Sequence, residues 1–380
     1  MKRLSLLDAT ESDRGQIDLP LLAGVVALAI FGIFMIYSAT KIALLDAGDD
    51  PAYYLKRQIM WVSFGFVVMF IVSKLDFRRY ELVGMWSYGF GFAAVLGVYV
   101  FGSSALGATR WYAFGPVQIQ PSEFMVLALI LALATFIARR PEGLSAFDVR
   151  RMLLMVGIPL VTIAAQPDLG TAIIIALVAT VMFLAAGVPP RFMVFLFLLG
   201  IVGVILAINV GVLQSFQINR LIAFLHQNYT GSNQKMLDLI RQVVNGKSAI
   251  GAGGLLGVGP FQGLQTTLGY VPEQRTDFIF TAVGEQLGWV GSVSLLVVLA
   301  LVSWRLYVIA RDSTNVFGRM LTIGIFVFFS FSVFQNIGMT MGIMPVAGIP
   351  LPLMSYGGSS AAVFSVAMGA ALSVSRRRGN

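Results

Sequence analysis

Pro20–Thr40 reads PLLAGVVALAIFGIFMIYSAT, apolar from end to end and without one charged side chain. Such a stretch matches the roughly 20 residues a helix needs to cross the hydrocarbon core of a bilayer. In water it would expose most of its apolar surface; in lipid that surface is solvated, and the helical backbone satisfies its own hydrogen bonds. Comparable runs recur along the chain and set its composition. Of 380 residues, 57% are hydrophobic and only 12% charged, about half the charged share of a soluble domain. The bilayer is therefore the solvent, and the fold class is all-α: a polytopic integral membrane protein.

Hydropathy places spans at about Pro20–Thr40, Gln58–Ser73, Leu82–Phe101, Ser122–Ala138, Met152–Ala165, Leu169–Gly187 and Phe192–Val210, then at Phe278–Ile309, Gly318–Met341 and Ser359–Ser375. This is a bundle of about ten transmembrane helices. An even number puts both termini on one side. Lys74, Arg78, Arg79, Arg139, Arg140, Arg150, Arg151 and Arg376–Arg378 fall on that side, whereas the short loops opposite hold only Lys41, Lys56, Arg57 and Arg110. Short loops rich in Lys and Arg stay inside, so both termini are expected in the cytoplasm. The chain then divides into a cytoplasmic tail (1–19), one transmembrane domain (20–375) with a long extracytoplasmic loop (211–276), and a basic cytoplasmic tail (376–380). The first segment lacks the basic, apolar and small-residue succession of a cleaved signal. The net charge of +8 is accounted for by topology, and nucleic acid is not an expected partner.

The chain has no cysteine and one histidine, His226. Thiolate chemistry is excluded and a Ser/His/Asp triad is hard to build, so reactivity rests on carboxylates, Lys, Arg and hydroxyls. These gather toward the outside. In the long loop, Met236, Leu237, Ile240, Val243 and Val244 recur at helical spacing among polar residues, describing an amphipathic helix on the membrane interface or on the roof of the bundle. The glycines at 251, 253, 254, 257, 259 and 263 suit a flexible loop or close backbone approach to a ligand. Gly246-Lys247-Ser248 imitates the end of a phosphate-binding loop, but Arg241 stands where its first glycine belongs.

The loop closes with Pro272-Glu273-Gln274-Arg275-Thr276-Asp277-Phe278, where Thr276 or Asp277 is placed to cap the next helix. That next apolar run exceeds the hydrocarbon thickness, so its first turns are expected either to project outward or to break near Gly284 and Gly288. Glu123, Asp168 and Glu285 lie in or at the edges of spans, where an ionisable group is costly and suggests function. Asp168 and Glu123 also suit helix caps, and Glu285 faces either the same cavity as Asp277 or the membrane edge. Arg110-Trp111-Tyr112 precedes Gln120-Pro121-Ser122-Glu123, bringing a cation, aromatic rings and a carboxylate to the outer surface.

These motifs, in order, resemble the SEDS family (shape, elongation, division and sporulation proteins) of membrane glycosyltransferases. The matching stretches are Ile36–Thr40, Arg110-Trp111, Gln120–Glu123, Gln166–Ala172, Pro272-Glu273, Thr276–Phe280 and Pro350–Ser359, nearly from end to end. Asn336–Met339 with Met344–Gly348 resembles the elongation branch more than the division branch. Val126, Val258 and Arg275 depart from the family pattern, standing where a lysine, a lysine and a histidine are common.

The resemblance implies a glycosyltransferase that polymerises lipid II on the outer face of the bacterial cytoplasmic membrane during elongation. Asp277 would be the base that takes the proton from the acceptor sugar hydroxyl. Lys56, Arg57, Arg110, Arg220 and Arg275 supply candidates for a pyrophosphate clamp, a task a divalent ion (Mg or Mn) held by carboxylates could share. Trp111, Glu123, Glu273, Ser355 and Tyr356 complete the expected substrate-binding set. The implied partners are a class B penicillin-binding protein, lipid II with the nascent glycan, and other membrane proteins of an elongation complex. Two rival readings are a transporter of the lipid-linked precursor, with Asp168, Glu123 and Glu285 as its polar path, and a scaffold that recruits another synthase.

Overall fold

The computed structural model describes residues 17–105, 108–115, 117–209, 215–227 and 234–377. In chain order these form α1 (Leu19–Asp46), α2 (Tyr53–Lys74), α3 (Phe77–Phe101), strands β1 (Ser103–Ala105), β2 (Ala108–Phe114) and β3 (Val117–Ile119), α4 (Pro121–Ala138), α5 (Ala146–Ala165), α6 (Leu169–Ala185) and α7 (Pro190–Asn209). Then come α8 (Ser215–Leu225), α9 (Gln234–Ala252), α10 (Leu264–Thr267), α11 (Ile279–Asp312), α12 (Val316–Thr340) and α13 (Gly358–Ser375). Among the described residues, seven helices are long and apolar enough to cross a membrane: α1–α4 and α11–α13. The remaining predicted spans coincide with α5, α6 and α7.

Local chemistry sets the helix ends. Asp18 accepts from Leu21 N at 3.0 Å ahead of Pro20, Asp76 caps α3, Ser145 and Asp148 form a reciprocal capping box on α5, and Asn315 caps α12. Within the bundle α13 and α4 are central, with 83% and 72% of their apolar stretch buried, whereas α2 and α3 turn most of their surface outward at 17% and 22%. Close crossings use small residues, as expected where lipid removes the hydrophobic drive between helices. A Cβ at Gly369 of α13 would lie 2.7 Å from Met69 O of α2, and one at Gly84 of α3 would lie 3.0 Å from Leu131 O of α4.

One end of the bundle is basic and ion-paired: Arg140 meets Asp148 at 2.6 Å, Arg305 meets buried Asp18 at 2.6 Å, and Arg377 donates to Leu75 O at 3.1 Å. The opposite end carries the α1–α2 connection, a small sheet, the α5–α6 corner, α8–α10 and the segment between α12 and α13. The sheet is antiparallel, β1-β2-β3, with Tyr112 opposite Ile119 and a register irregularity at Ser103/Ser104. It replaces what reads as an irregular connection in the sequence.

The amphipathic stretch is α9, and its apolar face packs on protein. Met236, Ile240 and Val243 are buried, the last beside Phe278 and Met339. Two of the glycines that follow, Gly253 and Gly257, serve packing within the protein: a Cβ at Gly253 would stand 1.9 Å from Gly284 O and one at Gly257 2.2 Å from Gln286 O. The break in α11 falls at Gly288, whose φ of 63° and ψ of −158° are non-helical.

Candidate active site

A cavity of about 440 Å³ opens at the end of the bundle opposite the basic one. One wall is ionic. Strand β2 contributes Arg110 and Trp111, the start of α4 Gln120 and Glu123, α8 Arg220, and the turn before α11 Glu273, Thr276 and Asp277. The other wall is aromatic. From one face of α2 come Tyr53, Tyr54, Arg57 and Trp61, joined by Arg275 and Tyr356. Arg57 sits 4.4 Å over the Tyr53 ring and Arg275 4.7 Å over Tyr54, which meets Tyr356 edge-on at 5.1 Å. Burial pushes the Tyr356 phenol up from its ordinary value.

Asp277 does not cap α11. The capping position is Phe278 and no side chain fills the role, so the carboxylate is left to the cavity. Its backbone is held from two sides: Asp277 N donates to Glu273 O at 3.1 Å, and Asp277 O accepts from Asn336 Nδ2 at 2.8 Å. The same Nδ2 also donates to Ile349 O at 2.8 Å. Gly348 adopts φ 71°, a region that favours glycine; a Cβ there would stand 3.4 Å from Asp277 Oδ2 and 3.8 Å from Arg220 Nη1. The glycine thus marks where base and guanidinium converge.

Removal from water raises the Asp277 carboxyl to about 6. The Arg220 charge opposes that rise, Glu273 adds to it and Arg110 opposes it. Burial first, and then the neighbouring Arg110, lowers Arg220 to about 10, which leaves it a cation at neutral pH. A carboxylate with a midpoint near 6 is ionised at pH 7 yet more basic than an ordinary aspartate, as a general base requires.

Arg110 is aimed by a buried brace. Its Nη2 donates to Pro167 O, and its Nη1 lies 3.8 Å from Asp168 Oδ1. Asp168, 3% exposed, also accepts from Ser122 Oγ at 2.8 Å, Gln120 Nε2 at 2.9 Å and Thr171 N at 3.3 Å. It therefore caps α6 and orients Arg110 from behind the cavity. Glu123 lines the cavity, and its Oε2 is buried with no hydrogen-bond partner among the described residues.

Three expected residues lie elsewhere. Lys56 points to solvent, its side chain 70% exposed and paired with Asp50 at 2.7 Å. Ser355 is buried under the site, accepting from Leu351 N at 2.8 Å and donating to Thr276 O. Glu285 faces neither the cavity nor the lipid: 1% exposed, it accepts from Gln265 N at 2.7 Å and from Thr266 N at 3.0 Å. Conversely, Tyr53, Tyr54 and Trp61 belong to the site and are absent from the sequence reading, while Gln120 and Gly348, which enter it only as parts of motifs, line the cavity too. The spacing 53, 54, 57, 61 on a helix could have exposed the α2 face. Among the described residues no three His, Asp or Glu side chains gather to hold a metal ion.

A polytopic helical membrane protein with a cavity of arginines, carboxylates and aromatic rings at one end is equipped to bind an anionic ligand at the membrane. Residues 19–380 match the family model FTSW_RODA_SPOVE, cell cycle protein. The chain is 33% identical to the peptidoglycan glycosyltransferase MrdB of Escherichia coli K12, covering 96% of this chain and 95% of that one. It is 32% identical to the probable peptidoglycan glycosyltransferase FtsW of Trichlorobacter lovleyi, covering 94% and 93%. A solved structure concerned with the coordination of polymerization and crosslinking by a peptidoglycan synthase complex aligns over 96% of this chain and 99% of its own, with TM-score 0.79 and 29% identity. The chain belongs to the FtsW/RodA/SpoVE family, the SEDS proteins.

Proposed function

We propose that this chain, by family a peptidoglycan glycosyltransferase, polymerises lipid II into glycan strands at the outer face of the bacterial cytoplasmic membrane. The observation that carries this reading is Asp277, a carboxylate pushed to about 6 inside a cavity walled by arginines and aromatic rings. In the transfer, Asp277 takes the proton of the acceptor sugar hydroxyl while the oxygen of that hydroxyl bonds to the anomeric carbon of the donor. The bond from that carbon to the pyrophosphate oxygen breaks, and undecaprenyl pyrophosphate leaves with the electron pair. Arg110 and Arg220 face the developing charge, a task for preorganised cations in a site shielded from water. The aromatic wall on α2 offers faces for sugar rings, and Arg57 and Arg275 complete the anion-binding set.

The role in elongation, as in RodA, rests on the Asn336–Met339 and Met344–Gly348 motifs; relatives bear both FtsW and MrdB names. A class B penicillin-binding protein is the expected partner, supported by the synthase complex among the similar structures. Of the three acids in the transporter reading's polar path, Asp168 and Glu285 are engaged in helix-end and loop hydrogen bonds, which supports polymerisation over transport. Purified protein incubated with lipid II and resolved on a gel tests the proposal: ladders of glycan are expected. Protein that moves lipid II across liposomes and forms no polymer would overturn it.

A further inference from the structure

Between Lys247 and Glu273 the chain holds no charged residue. This uncharged stretch contains the end of α9, a glycine-rich loop and α10, and its path is fixed by α11. Gly246 packs on Phe278 and Thr281 at the top of α11, Ile250 packs on Gly284 a turn lower, and Gly257 packs on Gln286 lower still. The segment therefore descends along α11.

At the turning point Trp289 N donates to Gly254 O at 2.9 Å and Val290 N to Leu255 O at 3.1 Å, while Val258 N and Gly259 N donate to Glu285 O and Gln286 O at 3.0 Å each. Those are the donors and acceptors that a helix interrupted at Gly288 leaves without intrahelical partners. The returning chain is held as well. Phe261 N donates to Ser38 Oγ of α1 at 3.0 Å, and the Glu285 carboxylate receives Gln265 N and Thr266 N. Backbone satisfied by protein in this way is the condition for irregular chain at membrane depth.

The Arg305–Asp18 pair joins α11 to the start of α1 and sets a common inner level from which both helices give the depth. On α11, about 20 residues counted back from Trp304, beside the Arg305–Asp18 pair, reach Gly284 as the outer edge of the hydrocarbon. On α1, the same count from Leu19 ends near Ser38, where Phe261 is bound. Leu255 and Leu256, level with Trp289 and Val290, thus lie about 8 Å below that edge at the rise of an α-helix. They are 73% and 79% exposed and continue the outward face of α11 at Trp289, Val297 and Trp304. We infer that 248–268 is a re-entrant element whose Leu255-Leu256 tip is inserted among the acyl chains of outer-leaflet lipids.

The chain's lack of cysteine makes the test direct. Leu256→Cys, labelled with an environment-sensitive fluorophore, is reconstituted in phosphatidylcholine/phosphatidylglycerol liposomes beside Val297→Cys on lipid-facing α11 and Asp49→Cys in the outer α1–α2 loop. The expected result is blue-shifted emission that is lost to nitroxides on mid-acyl carbons and untouched by aqueous iodide, as for Val297→Cys. Quenching by iodide to the extent seen for Asp49→Cys would overturn the inference. Shielding from both quenchers would also overturn it, by showing that a second copy or another protein covers the tip. Leu255→Cys provides a second reading and must order the quenchers in the same way.

Discussion

Replacing Asp277 by Asn keeps size and packing while removing the group that accepts the proton. Its backbone contacts with Glu273 and Asn336 do not involve the carboxylate, so the variant is expected to fold. Loss of a general base costs on the order of 100- to 10,000-fold, and polymerisation of lipid II followed on gels should fall by that amount. The pH profile sharpens the test. With a midpoint near 6 the carboxylate is about 90% ionised at pH 7 and about 10% at pH 5, so the wild-type rate should drop roughly tenfold over that range. The sign is fixed: activity depends on the ionised form and is lost as pH falls through the raised midpoint. Arg220 holds that midpoint down, so Arg220→Gln should move the acid limb to higher pH in addition to weakening substrate binding. Asp277→Asn protein retaining more than a tenth of the wild-type rate, or showing the same acid limb, would refute the assignment.

Two neighbouring glycines, Gly251 in the last turn of α9 and Gly253 just beyond it, should behave oppositely. Gly253→Ala drives a Cβ into Gly284 O and is expected to cost about 1–3 kcal/mol, whereas Gly251→Ala meets nothing within 4 Å and should be neutral or slightly stabilising, as read by thermal unfolding in detergent. On α2, Tyr54→Leu removes the ring shared by Arg275 and Tyr356 and should raise KM for lipid II by roughly 2- to 30-fold, the range of a cation–π contact, while Lys56→Ala should leave the steady-state kinetics unchanged.

The spans were legible because hydropathy is a local property: each predicted crossing coincides with a helix, and the break at Gly288 is one of the two ways the excess length of α11 could be resolved. Asp277, Arg110, Trp111 and Glu123 share the cavity because their motifs sit at the ends of helices or on the short strand between two of them, and Arg220 joins them from the middle of α8. What escaped depends on tertiary contact. Glu285 is ionisable and near the right level, but its partners Gln265 and Thr266 come from a loop whose return path no local pattern encodes. Tyr53 and Tyr54 looked like loop residues because α2 begins before the hydropathy rises, its first turns carrying Lys56 and Arg57. The strands beside Arg110 are too short for an alternating pattern to register.

Asn336 has a mechanical consequence. One fully buried amide of α12 carries both the peptide of Asp277 and the peptide of Ile349, next to Gly348. The base and the rim facing it are therefore stitched to a common post and travel with it as a unit. A bulky occupant of the cavity therefore meets the base and that rim at a spacing set by one side chain of α12.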